Sequence, residues 1–164
     1  MDFKELYIDH SQDCYSALKQ STEFSSKLHE AASEGDLKEA IERSITASKQ
    51  AQGEMARVIK AHGADPDGEH CMGMEGLIKE ATAHALEEDF DDPAVRDAMI
   101  IAQYQRLAHY AIAGYGTSAA FAKRLGLDDD AKMWEEQLDA TYDGDRAMTK
   151  LAETEVNPDA AEAA

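Results

Sequence analysis

Proline, cysteine and basic charge are all scarce in this chain. Three prolines in 164 residues leave long stretches free of helix breakers. The two cysteines, Cys14 and Cys71, form no CxxC pair, so neither a disulfide-stapled scaffold nor a structural zinc site is expected. No window of 18 consecutive apolar residues occurs, which argues against a helical membrane span. Lys and Arg number 16 against 34 Asp and Glu, a formal net charge of -18. Such a field repels nucleic acid and anionic membranes. Glycine-rich phosphate loops and HExxH patterns are missing as well. The first residues, MDFKELYIDH, carry acids from the outset and no apolar signal core, and the expected location is cytoplasmic.

What remains is ordinary for one soluble domain: 43% hydrophobic and 30% charged residues, in a chain long enough to bury a core. The acidity reads first as a solvated coat. Apolar residues recur at spacings of three and four, the helical period. The first helix is expected from about Phe3 to Ala32, with Tyr7, Cys14, Leu18, Ser21, Phe24 and Leu28 inward, broken by Gly35. A second is expected to be capped by Asp36 with Glu39 three residues on. Its inner side is Ile41, Ile45, Ser48, Gln52, Met55 and Ile59, and Gly63 stops it. A shorter helix spans about Met74–Glu88.

The fourth opens on Asp92–Pro93, a cap and a first-turn proline, and runs to about Leu125. Its inner stripe is Ile101, Tyr104, Ala108, Ala111 and Tyr115. Gly114 and Gly116 each cost about 1 kcal/mol of helix propensity relative to alanine, which predicts close packing or a bend there. After Gly126, Asp128 or Asp129 is expected to cap a last helix reaching about Glu153, with Trp134, Leu138, Thr141, Asp145, Met148 and Ala152 inward. Two tight hairpins joined by a long crossover that holds a short helix make an all-α, ferritin-like four-helix bundle. The bundle occupies residues 1–156; residues 157–164 form an acidic tail expected to fray.

Three blocks carry a resemblance: LYIDHSQDCYSALKQ (Leu6–Gln20), CMGMEGLIKEA (Cys71–Ala81) and AVRDAMIIAQYQRLAHYAIAGYG (Ala94–Gly116). In order and spacing the chain resembles the YciE/YciF family, ferritin-like proteins associated with bacterial stress responses. The resemblance implies two metal ions, iron or manganese, held by carboxylates between the four long helices. It also implies a homodimer. At the matching places this chain departs from the family. Where members read YSAEKQ it has YSALKQ, with Leu18 at the ligand position. Where they read VEHYEIAAYG it has LAHYAIAGYG, with Ala108 and Ala111 in place of both glutamates. Thr46 and Lys49 align with the ligand pair of the second helix, and Thr141 stands near the last glutamate. Leucine and alanine donate no electron pair, and paired dications need several anionic ligands to offset their mutual repulsion. The expectation is therefore that no cofactor is bound.

Lys49 and Asp145, expected to approach the bundle axis from different helices, suggest a buried ion pair in place of the metal, with His109 nearby as a third polar residue. Packing is the simpler reading of His109, and of Tyr104, Tyr110 and Tyr115. His10 and Asp13 lie three apart but are only two ligands. His62 and His70 have no metal-site spacing, and Met72 and Met74 read as packing residues. Cys14 falls on the inner side of the first helix. Cys71 falls in a loop, where it is expected to be the more reactive thiol. The preferred function is a non-catalytic structural or interaction protein acting on an unidentified protein partner or small molecule. Two alternatives stay open: a metal-dependent oxidase or ferroxidase-like protein using iron or manganese at a displaced site, and a binder of small apolar ligands using the space left near Leu18, Ala108 and Ala111.

Overall fold

The computed structural model describes residues 1–162, and among them there is no strand. The elements are α1 (Phe3–Ala31), α2 (Gly35–Ala61), α3 (Met72–Ala81), a π-helical turn (Thr82–Glu87), α4 (Pro93–Arg124), α5 (Asp128–Leu151), a second π-helical turn (Ala152–Val156) and α6 (Asn157–Glu162). The long helices α1, α2, α4 and α5 form a four-helix bundle. The crossover element α3 packs on α1 and α4. No helix among the described residues is long and apolar enough to cross a membrane.

Local chemistry explains most of the boundaries. Asp2 caps α1 in a full capping box with Glu5, and Asp92 caps α4 with Pro93 in the first turn. Two helices end in the same hydrogen-bonded motif with a left-handed glycine. Gly63 (φ 79°) follows α2, with Gly63 N–H bonded to Lys60 O and Ala64 N–H to Ile59 O. Gly126 (φ 70°) follows α4, with Gly126 N–H bonded to Lys123 O and Leu127 N–H to Ala122 O. Both satisfy carbonyls that the helix would leave open, and only glycine takes that φ without strain.

Other boundaries differ from the expectation. Gly35 is the first residue of α2, and the cap is Glu34, whose carboxylate accepts from Leu37 N–H at 2.6 Å. Asp36 lies inside the first turn instead, where an acid still favours the helix dipole. Leu127 precedes α5 with no side-chain cap, and all three aspartates, Asp128, Asp129 and Asp130, lie in the first turn. The short helix starts earlier, at Met72, and passes into a π-helical turn at Thr82. The C-terminal segment continues as helix through Glu162 rather than fraying, because Val156 is buried in the core and α6 lies against α4. Residues 163–164 of the expected tail lie outside the described residues.

The interior divides into two apolar clusters. One gathers Phe24, Leu28, Leu37, Ile41, Met74, Ile100, Ile101, Leu107 and Met148. The other gathers Tyr7, Cys14, Leu18, Met55, Tyr115, Ala119 and Trp134. Gly114 meets the expectation of close packing: a Cβ there would stand 2.9 Å from Cys14 Sγ. Gly116 does not, since a Cβ would meet only Leu138 at 3.8 Å.

Candidate functional site

Residues of both clusters line a cavity of about 280 Å³. All four long helices contribute to its wall: Leu18 and Ser21 from α1; Ser44, Ser48 and Ala51 from α2; Tyr104, Leu107, Ala108, Ala111 and Tyr115 from α4; Gln137, Thr141 and Met148 from α5. Exposed Ala47, Ala140 and Ala147 stand on the α2 and α5 sides of its mouth. A second cavity of about 220 Å³ lies between α1, α3 and α4, against His10, Asp13, Cys14, Met74 and Tyr110. The two share Leu18, Ser21, Ala111 and Tyr115. They therefore flank one internal layer.

The structure brings together four of the six positions singled out in the sequence. Leu18 is buried, while Ala108, Ala111 and Thr141 are half-buried, and all line the larger cavity. The Thr141 hydroxyl donates to its own helix at Gln137 O, 2.7 Å away. Thr46 and Lys49 are exposed and lie outside the cavity. Ser48 and Ala51, also three apart, take the inward positions on α2. The reason is helical phase, because each residue turns the side chain by about 100°. Ser48 already belonged to the inner stripe, and that stripe was the better guide.

The expected Lys49–Asp145 pair does not form. Lys49 is exposed. Asp145 turns toward α4, where its Oδ2 lies 3.1 Å from His109 Nε2 and its Oδ1 accepts from Gln105 Nε2 at 3.0 Å. His109 is 62% exposed, so the contact is a surface link across the α4–α5 seam rather than an internal site.

Most of the remaining polar candidates have local partners. Tyr104 OH lies 2.5 Å from Ser44 Oγ, and burial pushes its phenol pKa up. Tyr110 OH lies 3.2 Å from Cys71 Sγ, and that hydrogen bond, followed by burial, pushes its pKa up. Cys71 is the cap of α3 rather than a loop thiol. It is fully buried, and its Sγ accepts from Met74 N–H at 3.4 Å. Burial raises its pKa, which disfavours the reactive thiolate. Burial likewise pushes Cys14 up to about 12. His10 Nε2 lies 3.3 Å from Gly114 O, and His70 lies 2.7 Å from Glu75.

Two polar clusters stand outside the sequence reading. His62 Nε2 lies 2.6 Å from Asp130 Oδ2; Tyr7 OH donates to that same oxygen at 3.0 Å and accepts from Trp134 Nε1 at 3.1 Å. This group ties α1, the end of α2 and the start of α5. Asp97, 1% exposed on α4, accepts from Ser33 N–H at 2.9 Å, Ser33 Oγ at 2.5 Å and Glu34 N–H at 2.8 Å. It thereby holds the α1–α2 turn. An acidic residue on the inner side of a helix was the only sequence signal for it.

The metal pair implied by the family resemblance can be tested against this donor set. Paired dications require several anionic oxygen donors. The larger cavity is lined by no Asp, Glu, His or Cys. Among the described residues, no three such side chains converge to hold an ion. These residues do not fit a di-metal centre.

Comparison with known proteins agrees with the bundle and its order of elements. A family model described as a domain of unknown function (DUF892) matches residues 2–161. The chain is 34% identical over 158 residues to Protein YciF of Escherichia coli (strain K12), covering 94% of this chain and 92% of that protein. Among solved structures, the crystal structure of the E. coli stress protein YciF superposes with a TM-score of 0.88 at 33% identity, covering 96% of this chain and 98% of that one. YcfI of Rhodopseudomonas palustris, named as a proposed structural protein, superposes with a TM-score of 0.85 at 31% identity, over 91% and 94% of the two chains.

Proposed function

The chain belongs to the family described as a domain of unknown function (DUF892), and on that footing we propose that it is a non-catalytic, stress-associated structural or interaction protein. The observation that carries this reading is the composition of the internal layer. Leu18, Ser48, Ala51, Ala108, Ala111 and Thr141 occupy it, and none supplies an anionic metal ligand. The names of the relatives, a stress protein and a proposed structural protein, are compatible with a role exerted through surfaces and assembly. In this reading the chain works in the cytoplasm as a homodimer, without iron or manganese, and its partner is a protein or a small molecule rather than nucleic acid or membrane. The net charge of -18 favours those partners over polyanions.

The test is metal analysis of protein purified without chelator, followed by titration with iron(II) and manganese(II). The expected result is metal well below one ion per chain and no saturable tight site. Two tightly bound ions per chain, with oxidase or ferroxidase activity, would establish the displaced-site enzyme instead.

A further inference from the structure

Two hydroxyls of the internal layer, those of Ser48 and Tyr115, have no hydrogen-bond partner among the described residues, and only Tyr115 is buried. Tyr115 is 4% exposed and lines both cavities. Its ring packs at 5.7 Å from Trp134. No hydrogen bond reaches its hydroxyl from any described residue, whereas the buried Tyr7 hydroxyl has two partners and Tyr104 has Ser44. Burial raises the phenol pKa of Tyr115, so at neutral pH the group is a protonated donor. The hydroxyl is not sealed off, since the one solvent-excluded side-chain nitrogen or oxygen without a partner among the described residues is Arg96 Nε, and it is open to donate to a group that enters the cavity.

The rest of the wall narrows the chemistry of an occupant. In a chain with 34 acidic residues, the larger cavity has none in its lining. The one charged group there, Arg43, is 70% exposed and paired with Glu39. A buried anion or cation would lack a counter-charge. Ser21, Ser25 and Thr141 spend their hydroxyl protons on carbonyls of their own helices. Of the buried residues in that wall, Tyr115 keeps a free O–H; half-buried Ser48 has no hydrogen bond among the described residues either, and the Ser44–Tyr104 pair uses one of its two protons. An apolar cavity of about 150 Å³ accepts benzene. By proportion, 280 Å³ holds roughly ten non-hydrogen atoms.

We propose that the larger cavity, at Leu18, Ala111 and Tyr115, is a binding site for a small neutral molecule with a compact apolar body and one hydrogen-bond-accepting oxygen, of the ketone class, with the Tyr115 hydroxyl donating to that oxygen. The short side chains of Ala108 and Ala111 leave the room. The site extends the interaction role proposed above without depending on it, since metal content and ligand uptake are read separately.

Three probes of nearly equal size test the assignment by NMR titration of the full-length ¹⁵N-labelled protein: acetophenone, isopropylbenzene and benzoate. Acetophenone is expected to bind saturably, shifting amides around Ala108, Ala111 and Tyr115; benzoate is expected not to. Tyr115→Phe should weaken acetophenone about fivefold and leave isopropylbenzene unchanged, as expected for one neutral hydrogen bond. Ala111→Leu, or Ala108→Met should the first variant fail to fold, should abolish uptake of both neutral probes by filling the space. The proposal is overturned if acetophenone shifts no amides in the layer, if benzoate binds as well as acetophenone, if Tyr115→Phe weakens both neutral probes equally or neither, or if a folded filled variant still binds.

Discussion

Removing the Asp97 carboxylate should weaken the bundle more than any surface change. The side chain is almost wholly buried on α4 and takes three hydrogen bonds from two consecutive residues of the α1–α2 turn. Its negative charge also faces the start of α2, where the exposed N–H groups of a helix favour an anion. Hydrogen bonds to a charged group contribute about 1.5–3 kcal/mol each, but bonds to one carboxylate are not additive. Ser33 is exposed and Glu34 half-buried, so water recovers part of the loss. We therefore expect Asp97→Ala to destabilise by about 2–4 kcal/mol. Asp97→Asn should fall between, because its NH₂ group faces one of the three donors and cannot accept from it. Ser33→Ala, which removes only the hydroxyl, should cost about 1 kcal/mol. Urea unfolding followed by circular dichroism measures all three, with an unchanged denaturant slope confirming that only stability moved. A loss under 1 kcal/mol for Asp97→Ala would refute the claim that this carboxylate pins the turn.

Gly114→Ala should destabilise by about 1–2 kcal/mol by overpacking, despite the gain in helix propensity, because the new Cβ would stand 2.9 Å from Cys14 Sγ; adding Cys14→Ala should recover most of that loss in thermal melts. Tyr7→Phe removes the hydroxyl shared by Asp130 and Trp134 and should cost about 1–3 kcal/mol in the same melts, since it leaves a buried indole N–H unpaired. Cys14 titrates at about 12 in the fold against 9.0 unperturbed. Its folded pKa is raised, so the stability it contributes is complete below pH 9.0 and is lost as pH rises from there toward 12. Cys14→Ala should flatten that alkaline decline in urea midpoints measured across the range.

The fold was legible because its signals are local and redundant. Asp92 and Pro93 open α4, Gly63 stops α2 and Gly126 stops α4, and the stripe from Ile101 to Tyr115 repeats at helical spacing. The capping of α2 was less legible. Asp36 with Glu39 matches a capping box and Glu34 with Leu37 does not, yet the cap is Glu34, at the turn that Asp97, some sixty residues away in sequence, holds through Ser33 and Glu34. The inner layer was legible on α1, α4 and α5, where Leu18, Ala108, Ala111 and Thr141 all line one cavity. It was misphased on α2, where Thr46 and Lys49 followed from the family resemblance although the inner stripe of the helix runs through Ile45, Ser48 and Gln52 and through neither of them. The Lys49–Asp145 pair was a conjecture about two helices that no local pattern constrains. The actual partners of Asp145, His109 and Gln105, lie on α4. Tertiary pairings such as Asp97 with Ser33, or Tyr7 with Asp130 and Trp134, leave almost no trace in sequence spacing.

The central claim concerns the chemistry of one internal layer, where serine, threonine, alanine and leucine stand and no carboxylate does. Crystals grown with excess manganese(II), and measured for anomalous scattering, examine that layer directly. The account predicts no anomalous peak among Leu18, Ser48, Ala51, Ala108, Ala111 and Thr141; two well-occupied peaks about 4 Å apart between those residues would contradict it.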